Sequence, residues 1–279
     1  MKTKKEMAID LYQNHQHVLS CPLCHQSMSV QNQTIVCKNK HSYDISKKGT
    51  VNLSFTNNDQ FYDRSFFISR QKMIKEGIFD SVISTITSHI TTLFTTTITL
   101  LDVGTGEGSL LQKISQHING RIFGIDLSKD AIALATNLST EISWIVADIT
   151  NLPFNDHQFD CILNVFSPAN YNEFIRVLKK EGALIKVVPL ATHFKELRQE
   201  QVIDKDESKN IANIEQVLKQ HFDIVLKERV VDEVEISSAQ KVDIMTMSPI
   251  SKNNLSLSSD FESITIDVFV YVCKKKSLF

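Results

Sequence analysis

The sequence predicts an α/β fold, in which a doubly wound, mostly parallel sheet ends in an antiparallel strand and follows a small cysteine-containing module. From residue 97 onward, continuous apolar segments alternate with apolar residues at helical spacing, as in a parallel sheet covered on both faces. Two long alternating segments, 222–236 and 263–275, lack the spacing of a βαβ unit and predict an antiparallel pair. Three cysteines and a histidine between residues 21 and 41 define the N-terminal module.

The chain has 279 residues, of which 42% are apolar, and a net charge of −2, which argues against general polyanion binding. Its basic start lacks the apolar stretch of a secretory signal, and no segment approaches the ~20 apolar residues of a membrane span. We therefore expect a cytoplasmic protein without a membrane partner. Between Cys21 and Lys75 there are eight cations and three anions, although an ordinary solvated surface explains this excess equally well.

The cysteine spacing in the first 58 residues predicts a structural zinc site. Cys21 and Cys24 are separated by two residues, and Cys37 and His41 by three, with twelve residues between the two pairs. Thiolates and an imidazole at these intervals can form a closed tetrahedron around zinc. The neighbouring His25 is the competing ligand. We expect residues 1–58 to form a zinc-ribbon-like module with its own core, and the polar segment NNDQ at 57–60 to mark its boundary.

Residues 59–96 are expected to form a helical connector. An apolar stripe from Phe66 to Ile78 has helical spacing, and Gly77 predicts a break between two helices.

Residues 97–279 predict a Rossmann-like domain with right-handed crossovers. A helix near 207–220 leads into the antiparallel pair. The isolated Cys161 and Cys273 lie in apolar segments, where buried thiols without a function are usual. The predicted parallel strands are ITLLDV, RIFGID, ISWIVA, FDCILNVF and ALIKVV.

A glycine-rich turn follows the first of these strands in the segment LLDVGTGEGSLL. Asp102 and Gly104 end the strand, and Gly106 and Gly108 lead into the next helix. Glycine allows a positive φ and a close approach of backbone to ligand. A dinucleotide fingerprint needs G-x-G-x-x-G, whereas the third glycine here comes one residue early. This spacing favours S-adenosylmethionine as the cofactor, with a ligand-free turn as the alternative.

Two further acids follow the next two strands. Asp126 closes RIFGID and is positioned to accept hydrogen bonds from ribose hydroxyls. Asp148 follows ISWIVA and is placed to meet the adenine amino group. Either acid alone could be an ordinary loop or helix-cap residue. Acids at the ends of three consecutive strands favour a nucleoside site.

These residues together resemble one family, the bacterial 23S ribosomal RNA (guanine-N1)-methyltransferases, which act on the helix 35 hairpin of the large subunit. The resemblance implies an enzyme that uses S-adenosylmethionine, holds RNA with its zinc module and forms a homodimer. It covers most of the chain. The matching segments are CPLCHQSMS, CKNKHSYDISKKGTVNL, SRQKMIKEGIF, the glycine loop, FGIDLSKDAI, LPF, NVFSPA, ATHFKELR and MTMSPI.

The resemblance also implies roles for single residues. Phe79 matches an aromatic residue near the cofactor, and His193 matches a residue that reaches it. Gly106 and Glu107 match the pair that lines the cofactor.

The turn after the fourth strand departs from one branch of the family. It reads NVFSPA where that branch has an arginine and a tyrosine, so which of two nearby guanines is modified stays open. The segment offers no carboxylate to remove the proton of guanine N1, so the general base is not identified. We hypothesise that Asn164 and Phe166 line the target pocket, with Phe166 stacking on the base. A core aromatic is the alternative for Phe166.

Two other functions compete with this interpretation. A small-molecule methyltransferase with a structural zinc module would act without RNA. A non-catalytic RNA-binding protein would bind RNA in a manner that the cofactor does not alter.

Overall fold

The computed structural model describes residues 2–56, 62–197, 207–248 and 261–276, with side chains of the helix at 207 described from residue 210. Within these residues, no helix is both long and apolar enough to cross a membrane. The helices are α1 (Lys4–His15), α2 (Arg64–Lys75), α3 (Asp80–Leu93), α4 (Ser109–Ser115), α5 (Lys129–Ala135), α6 (Tyr171–Val177), α7 (Glu207–His221) and α8 (Ser238–Met247).

The described strands form two sheets. A three-stranded antiparallel sheet contains β1 (Met28–Gln31), β2 (Thr34–Cys37) and β3 (Ser42–Asp44). The other sheet has eight strands in the order β10-β11-β9-β8-β5-β6-β7-β4. Its members are β4 (Val51–Asn52), β5 (Ile98–Val103), β6 (Gly120–Asp126), β7 (Ile142–Val146), β8 (Phe159–Val165), β9 (Leu178–Pro189), β10 (Phe222–Glu235) and β11 (Ser263–Lys275).

The eight-stranded sheet confirms the predicted fold class. Strands β4 to β9 of this sheet pair in parallel, whereas β11 is antiparallel to both β9 and β10. Every residue of β5 is buried, as expected of a central strand covered on both faces. The strand order reverses between β5 and β8, and such a reversal is where open α/β sheets bind their ligands.

The N-terminal module shares its core with the large sheet, so the expectation of a separate core is wrong. One continuous apolar cluster contains Tyr12 and Leu19 together with Phe123 and Phe154 of the large domain. The Tyr12 hydroxyl donates to the carbonyl of Trp144 at 2.7 Å. Strand β4 also pairs with β7 as the eighth strand of the large sheet. The predicted boundary at NNDQ lies outside the described residues.

The connector forms two helices that break at Gly77, as predicted. Asp63 caps α2 by accepting from the backbone N–H of Phe66 at 2.9 Å. Gly77 has a φ of +98°. A helix can end in this backbone conformation without strain only when the residue is glycine. The break directs α3 along the sheet and leaves α2 above the carboxyl ends of the strands, where it supplies side chains to the site.

Candidate active site and metal centre

A cavity of about 1140 Å³ lies at the carboxyl ends of β5, β6, β8 and β9, beneath α2. Six of the predicted site residues line it, while five others lie beside it. The lining residues are Phe79, Gly104, Gly106, Asp126, Phe166 and His193. Asp102, Glu107, Gly108, Asp148 and Asn164 are not part of its wall.

The glycine loop has the backbone conformation that the sequence predicts. Gly104, Gly106 and Gly108 all have a positive φ, between +60° and +81°. A Cβ on Gly104 would lie 2.5 Å from the Cβ of Ser167, so only glycine allows this approach. Gly108 has a different role, because its missing Cβ makes room for the ring of Trp144 rather than for a ligand.

Asp126 joins the glycine loop to the end of β6. Its carboxylate accepts from the backbone N–H of Gly106 at 2.9 Å and from that of Ser128 at 2.8 Å. Burial raises the pKa of this carboxyl, while the two backbone hydrogen bonds act to lower it. Each oxygen retains a second lone pair, so the group can still accept from a ligand.

Two buried acidic groups beside the loop have an oxygen without a hydrogen-bond partner. These atoms are Oδ1 of Asp102 and Oε1 of Glu107. Burial raises the pKa of Asp102 to about 7. The other oxygen of Glu107 accepts from Arg70 Nη1 at 2.7 Å. Such acceptors suit the ammonium group of an amino-acid ligand, which fits the methionine portion of S-adenosylmethionine.

The carboxylate of Asp148 is held by two threonines. It accepts from Thr56 Oγ1 at 2.6 Å, from Thr150 Oγ1 at 2.7 Å and from the backbone N–H of Thr150 at 2.8 Å. Its neighbours Ala147 and Ile149 line the cavity, so Asp148 lies next to the wall. A contact with adenine stays a prediction.

Four aromatic rings form one side of the cavity. Phe166 stacks on His193 with ring centroids 5.5 Å apart, and Phe79 lies 5.7 Å from Phe166. Phe194 stacks on His193 at 4.2 Å. Phe166 has a φ of +53°, which is unusual for a bulky residue and turns the chain sharply after β8. Its ring both packs in this cluster and lines the cavity.

The side chain of Asn164 holds the same turn through hydrogen bonds. Its Nδ2 donates to Ser167 Oγ at 2.6 Å and to the carbonyl of Pro168 at 2.8 Å. Its Oδ1 accepts from Lys186 Nζ at 2.5 Å. The side chain is completely buried. These contacts orient the turn and the lysine, and a contact of Asn164 with a substrate stays a prediction.

Two cations in the cavity wall, Arg70 and Lys186, were not predicted from the sequence. Arg70 lies on the face of α2 that covers the glycine loop, and in sequence it resembles any cation of a solvated helix. Lys186 had a usable signal, since it is the cation within the apolar segment ALIKVV. Lysine is almost never fully buried in a strand unless it is paired, so its position in this segment is unusual.

The four predicted metal ligands converge at the other end of the chain. Their ligand atoms all lie within 4.8 Å of one another. The distances are 3.7 Å from Cys24 Sγ to Cys37 Sγ, 3.4 Å from Cys21 Sγ to His41 Nδ1 and 3.5 Å from Cys37 Sγ to His41 Nδ1. Zn–S bonds of ~2.3 Å and a Zn–N bond of ~2.1 Å in a tetrahedron require separations of about 3.6 to 3.8 Å, which these distances approach.

The hydrogen bonds of the module also favour a thiolate. Burial acts to raise the pKa of Cys21, but hydrogen bonds with the Tyr43 hydroxyl and with the backbone of Leu23 and Cys24 lower it to about 6. His25 is exposed and does not belong to the cluster of four ligands. The donor set therefore fits a closed zinc site.

Family models match both the methyltransferase domain and the zinc module of this chain. A family model described as "Methyltransferase domain" matches residues 100–182, and one for a zinc ribbon, described as "RlmA, N-terminal", matches residues 19–54.

Individual relatives are similar in sequence over larger parts of the chain. The Bacillus subtilis protein YxjB, whose name places it among the 23S rRNA (guanine-N(1)-)-methyltransferases, is 40% identical over 189 residues, or 64% of this chain and 67% of that protein. The 23S rRNA (guanine(748)-N(1))-methyltransferase of Streptomyces fradiae is 26% identical over 76% of this chain and 77% of its own. A demethylmenaquinone methyltransferase of Porphyromonas gingivalis is 33% identical, but over only 33% of this chain and 44% of its own. The chain belongs to the 23S rRNA (guanine-N1)-methyltransferase family and uses S-adenosylmethionine.

Proposed function

We propose that this protein transfers the methyl group of S-adenosylmethionine to N1 of a guanine in the helix 35 hairpin of 23S ribosomal RNA. The observation that carries the proposal is the combination in one chain of a Cys₃His zinc ribbon with a glycine loop above a large cavity. Similarity to 23S rRNA (guanine-N1)-methyltransferases extends over 64% of the chain, whereas similarity to the quinone-methylating relative covers a third of it. A ribosomal substrate implies that the protein works in the cytoplasm.

Some residues of the cavity are proposed to bind the cofactor, and others to bind the target guanine. Gly104, Gly106 and Glu107 would hold the amino-acid end of the cofactor, and Asp126 its ribose. When bound, S-adenosylmethionine supplies a methyl group that its sulfonium has already activated. Phe79 and His193 are proposed to pack against the cofactor, and Phe166 to stack on the guanine. The remaining task of the protein is to align N1 with the methyl carbon and to exclude water.

The zinc module is proposed to hold the RNA. Cys21, Cys24, Cys37 and His41 would occupy all four zinc positions, so the metal stabilises the fold and takes no part in the chemistry. Exposed lysines lie on the same module, at positions 38, 40, 47 and 48. Phe55 is 62% exposed and its ring lies 6.2 Å from that of Tyr43. The lysines can contact the phosphates of an RNA backbone, and the exposed aromatic ring can stack on an unpaired base.

Reverse transcription of large-subunit RNA tests the proposal. Methylation of N1 blocks the pairing edge of guanine, so extension should halt beside the modified base in cells with the gene and read through in cells without it. Complementation with the wild-type gene should restore the stop, whereas Asp126→Ala, which removes the carboxylate proposed to bind the ribose, should not. An unchanged stop pattern after deletion contradicts the assignment. Activity on small molecules without RNA would favour a small-molecule methyltransferase, and RNA binding without any stop would favour a non-catalytic protein.

The homodimer is likewise a proposal, which rests on the family resemblance. Sedimentation equilibrium of the purified protein should give twice the mass of the 31.7 kDa chain. A single species at the mass of one chain, at micromolar concentration, would contradict it.

A further inference from the structure

Lys186 is a buried cation in the cavity wall to which the site described above gives no role. It lies near the carboxyl end of β9 and is 7% exposed. A buried ammonium is normally paired with a carboxylate, because burial removes its hydration. In the described part of the chain Lys186 has no such partner, and its Nζ donates instead to the neutral amide of Asn164 at 2.5 Å.

Three elements pack around this amine. Asn164 lies on β8, Tyr171 begins α6 with its ring centroid 6.0 Å from Nζ, and Cys273 lies on β11. Burial raises the pKa of Tyr171 and that of Cys273 to about 12, so both groups are uncharged near neutral pH. Among the residues that the structure describes, the surroundings of Lys186 therefore carry no negative charge that would hold its proton.

Lys186 lies in the cavity wall, next to the turn that follows β8. Lys186 and Tyr171 both line the cavity, together with Ser167 and Pro168 of the turn after β8. The glycine loop and Asp126 line another part of the same space. The amine thus lies in the cavity wall beside the turn whose Phe166 is proposed to stack on the target base.

We propose that Lys186 is the base that accepts the N1 proton of the target guanine, a role that rests on the function proposed above. Guanine N1 carries a proton at neutral pH, and its lone pair becomes a good nucleophile only as that proton leaves. Asn164 is then a positioning residue, because its Oδ1 fixes the direction of the lysine while its Nδ2 holds the turn.

The step balances in atoms and charge. Lys186 takes the N1 proton into its nitrogen lone pair as the N1–carbon bond forms and the sulfur–carbon bond breaks, with the electron pair of that bond left on sulfur. The positive charge of the sulfonium ends as the ammonium of Lys186, which returns the proton to solvent after the product leaves. Burial lowers the pKa of Lys186 to about 8, so a useful fraction of the amine is neutral near pH 7.

The test compares three variants with the wild-type protein in single-turnover methyl transfer to 23S rRNA. Lys186→Met removes the base, and Lys186→Arg keeps a cation that does not release its proton. Lys179→Met is the matched control, since Lys179 lies on the same strand and pairs with Asp160 outside the cavity. We expect both changes at Lys186 to slow the transfer about 10²-fold or more, with the control within twofold of wild type. Binding of S-adenosylhomocysteine, measured by calorimetry, should stay within threefold in all variants, which also shows that they fold.

The pH dependence separates a base from a merely structural residue. The wild-type rate should rise with pH and level off above about 8, because the neutral amine is the reactive form, and this rise should disappear in Lys186→Met. Labelling with acetic anhydride, followed by mass spectrometry, gives a readout that needs no substrate. Lys186 should become reactive with a midpoint near 8, and exposed lysines only above ~10.

Several results would overturn the proposal. These are a Lys186→Met rate within threefold of wild type, a rise at pH 8 that persists in this variant, an active Lys186→Arg protein, or a labelling midpoint near that of exposed lysines. If the wild-type protein itself methylates no 23S rRNA under any condition, the function proposed above fails and this role fails with it. A wild-type protein that is active while the Lys186 variants are unaffected refutes the role of Lys186 alone.

Discussion

At the scale of single residues, Asp126 performs two tasks with one carboxylate. Its oxygens hold the backbone N–H groups of Gly106 and Ser128, and the group also faces the cavity. Asp126→Asn should therefore weaken binding of S-adenosylhomocysteine by about tenfold to hundredfold, the range expected when hydrogen bonds to a charged group worth ~1.5–3 kcal/mol are lost. Titration calorimetry measures the change. Asp130→Asn, four residues further on and outside the cavity wall, is the control and should bind normally.

The pair of Arg70 and Glu107 gives a prediction about stability. Their side chains are 15% and 0% exposed, and they lie 2.7 Å apart. Removing one partner of a buried pair leaves an uncompensated charge, so Arg70→Met should lower the free energy of unfolding by about 3 kcal/mol or more. The double change Arg70→Met with Glu107→Gln should recover part of the loss, because no buried charge is then left alone. Urea unfolding measures both, and equal losses in the single and double variants would refute the pairing argument.

Some of the site could be predicted from residue patterns and some could not. The spacing of Gly104 and Gly106 and the acid at 126 predict a nucleoside site, because a turn conformation and a strand end are local properties. The spacing of the cysteines predicts the metal cluster for the same reason. Arg70 was not predicted because its burial depends on the packing of α2 over the glycine loop, which the neighbouring sequence does not indicate. Lys186 was overlooked although the apolar segment ALIKVV around it carries a signal, and that segment does not indicate which elements face the amine.

At the scale of secondary-structure elements, helix α4 depends on close packing at its N-cap residue, Gly108. Gly108 has a φ of +81°, and a Cβ there would lie 2.6 Å from the Trp144 ring and 2.8 Å from the Cβ of Ala135. Gly108→Ala should destabilise the protein by about 2 kcal/mol or more, since left-handed backbone and overpacking both cost free energy. Thermal unfolding followed by circular dichroism measures this effect. Gln116→Ala, at the exposed end of the same helix, should leave the midpoint nearly unchanged.

The strands differ in how well the sequence predicts them. Strands β5 and β7 are short, largely apolar segments that are buried along their whole length, so both their existence and their burial follow from composition. Strand β4 has only two residues and pairs with β7, whose residues lie more than ninety positions further along the chain. No local pattern indicates such a partner. The separate core expected for the first 58 residues was wrong because this pairing, with the contact of Tyr12 and Trp144, ties the module to the sheet.

At the scale of the whole molecule, the shared core couples the metal site to the methyltransferase domain. Cys37→Ser removes a metal ligand from a module that packs against Phe123 and Phe154. We expect one unfolding transition that moves to lower temperature, rather than loss of the module alone, because structural zinc contributes directly to folding. Scanning calorimetry distinguishes these outcomes. His25→Ala, a change of the exposed neighbour of Cys24, should keep both the metal and the transition. Two transitions, with the upper one at the wild-type temperature, would contradict the coupling.

One cavity is proposed to align a sulfonium methyl group with N1 of a ribosomal guanine. In the most direct test, the purified protein is incubated with methyl-labelled S-adenosylmethionine and unmodified 23S rRNA. The RNA is then digested, and the labelled nucleoside is identified by mass spectrometry. We expect the label to appear in 1-methylguanosine, at one position within the helix 35 hairpin. Label in another nucleoside, or none in RNA while the protein binds the cofactor and folds normally, would contradict it.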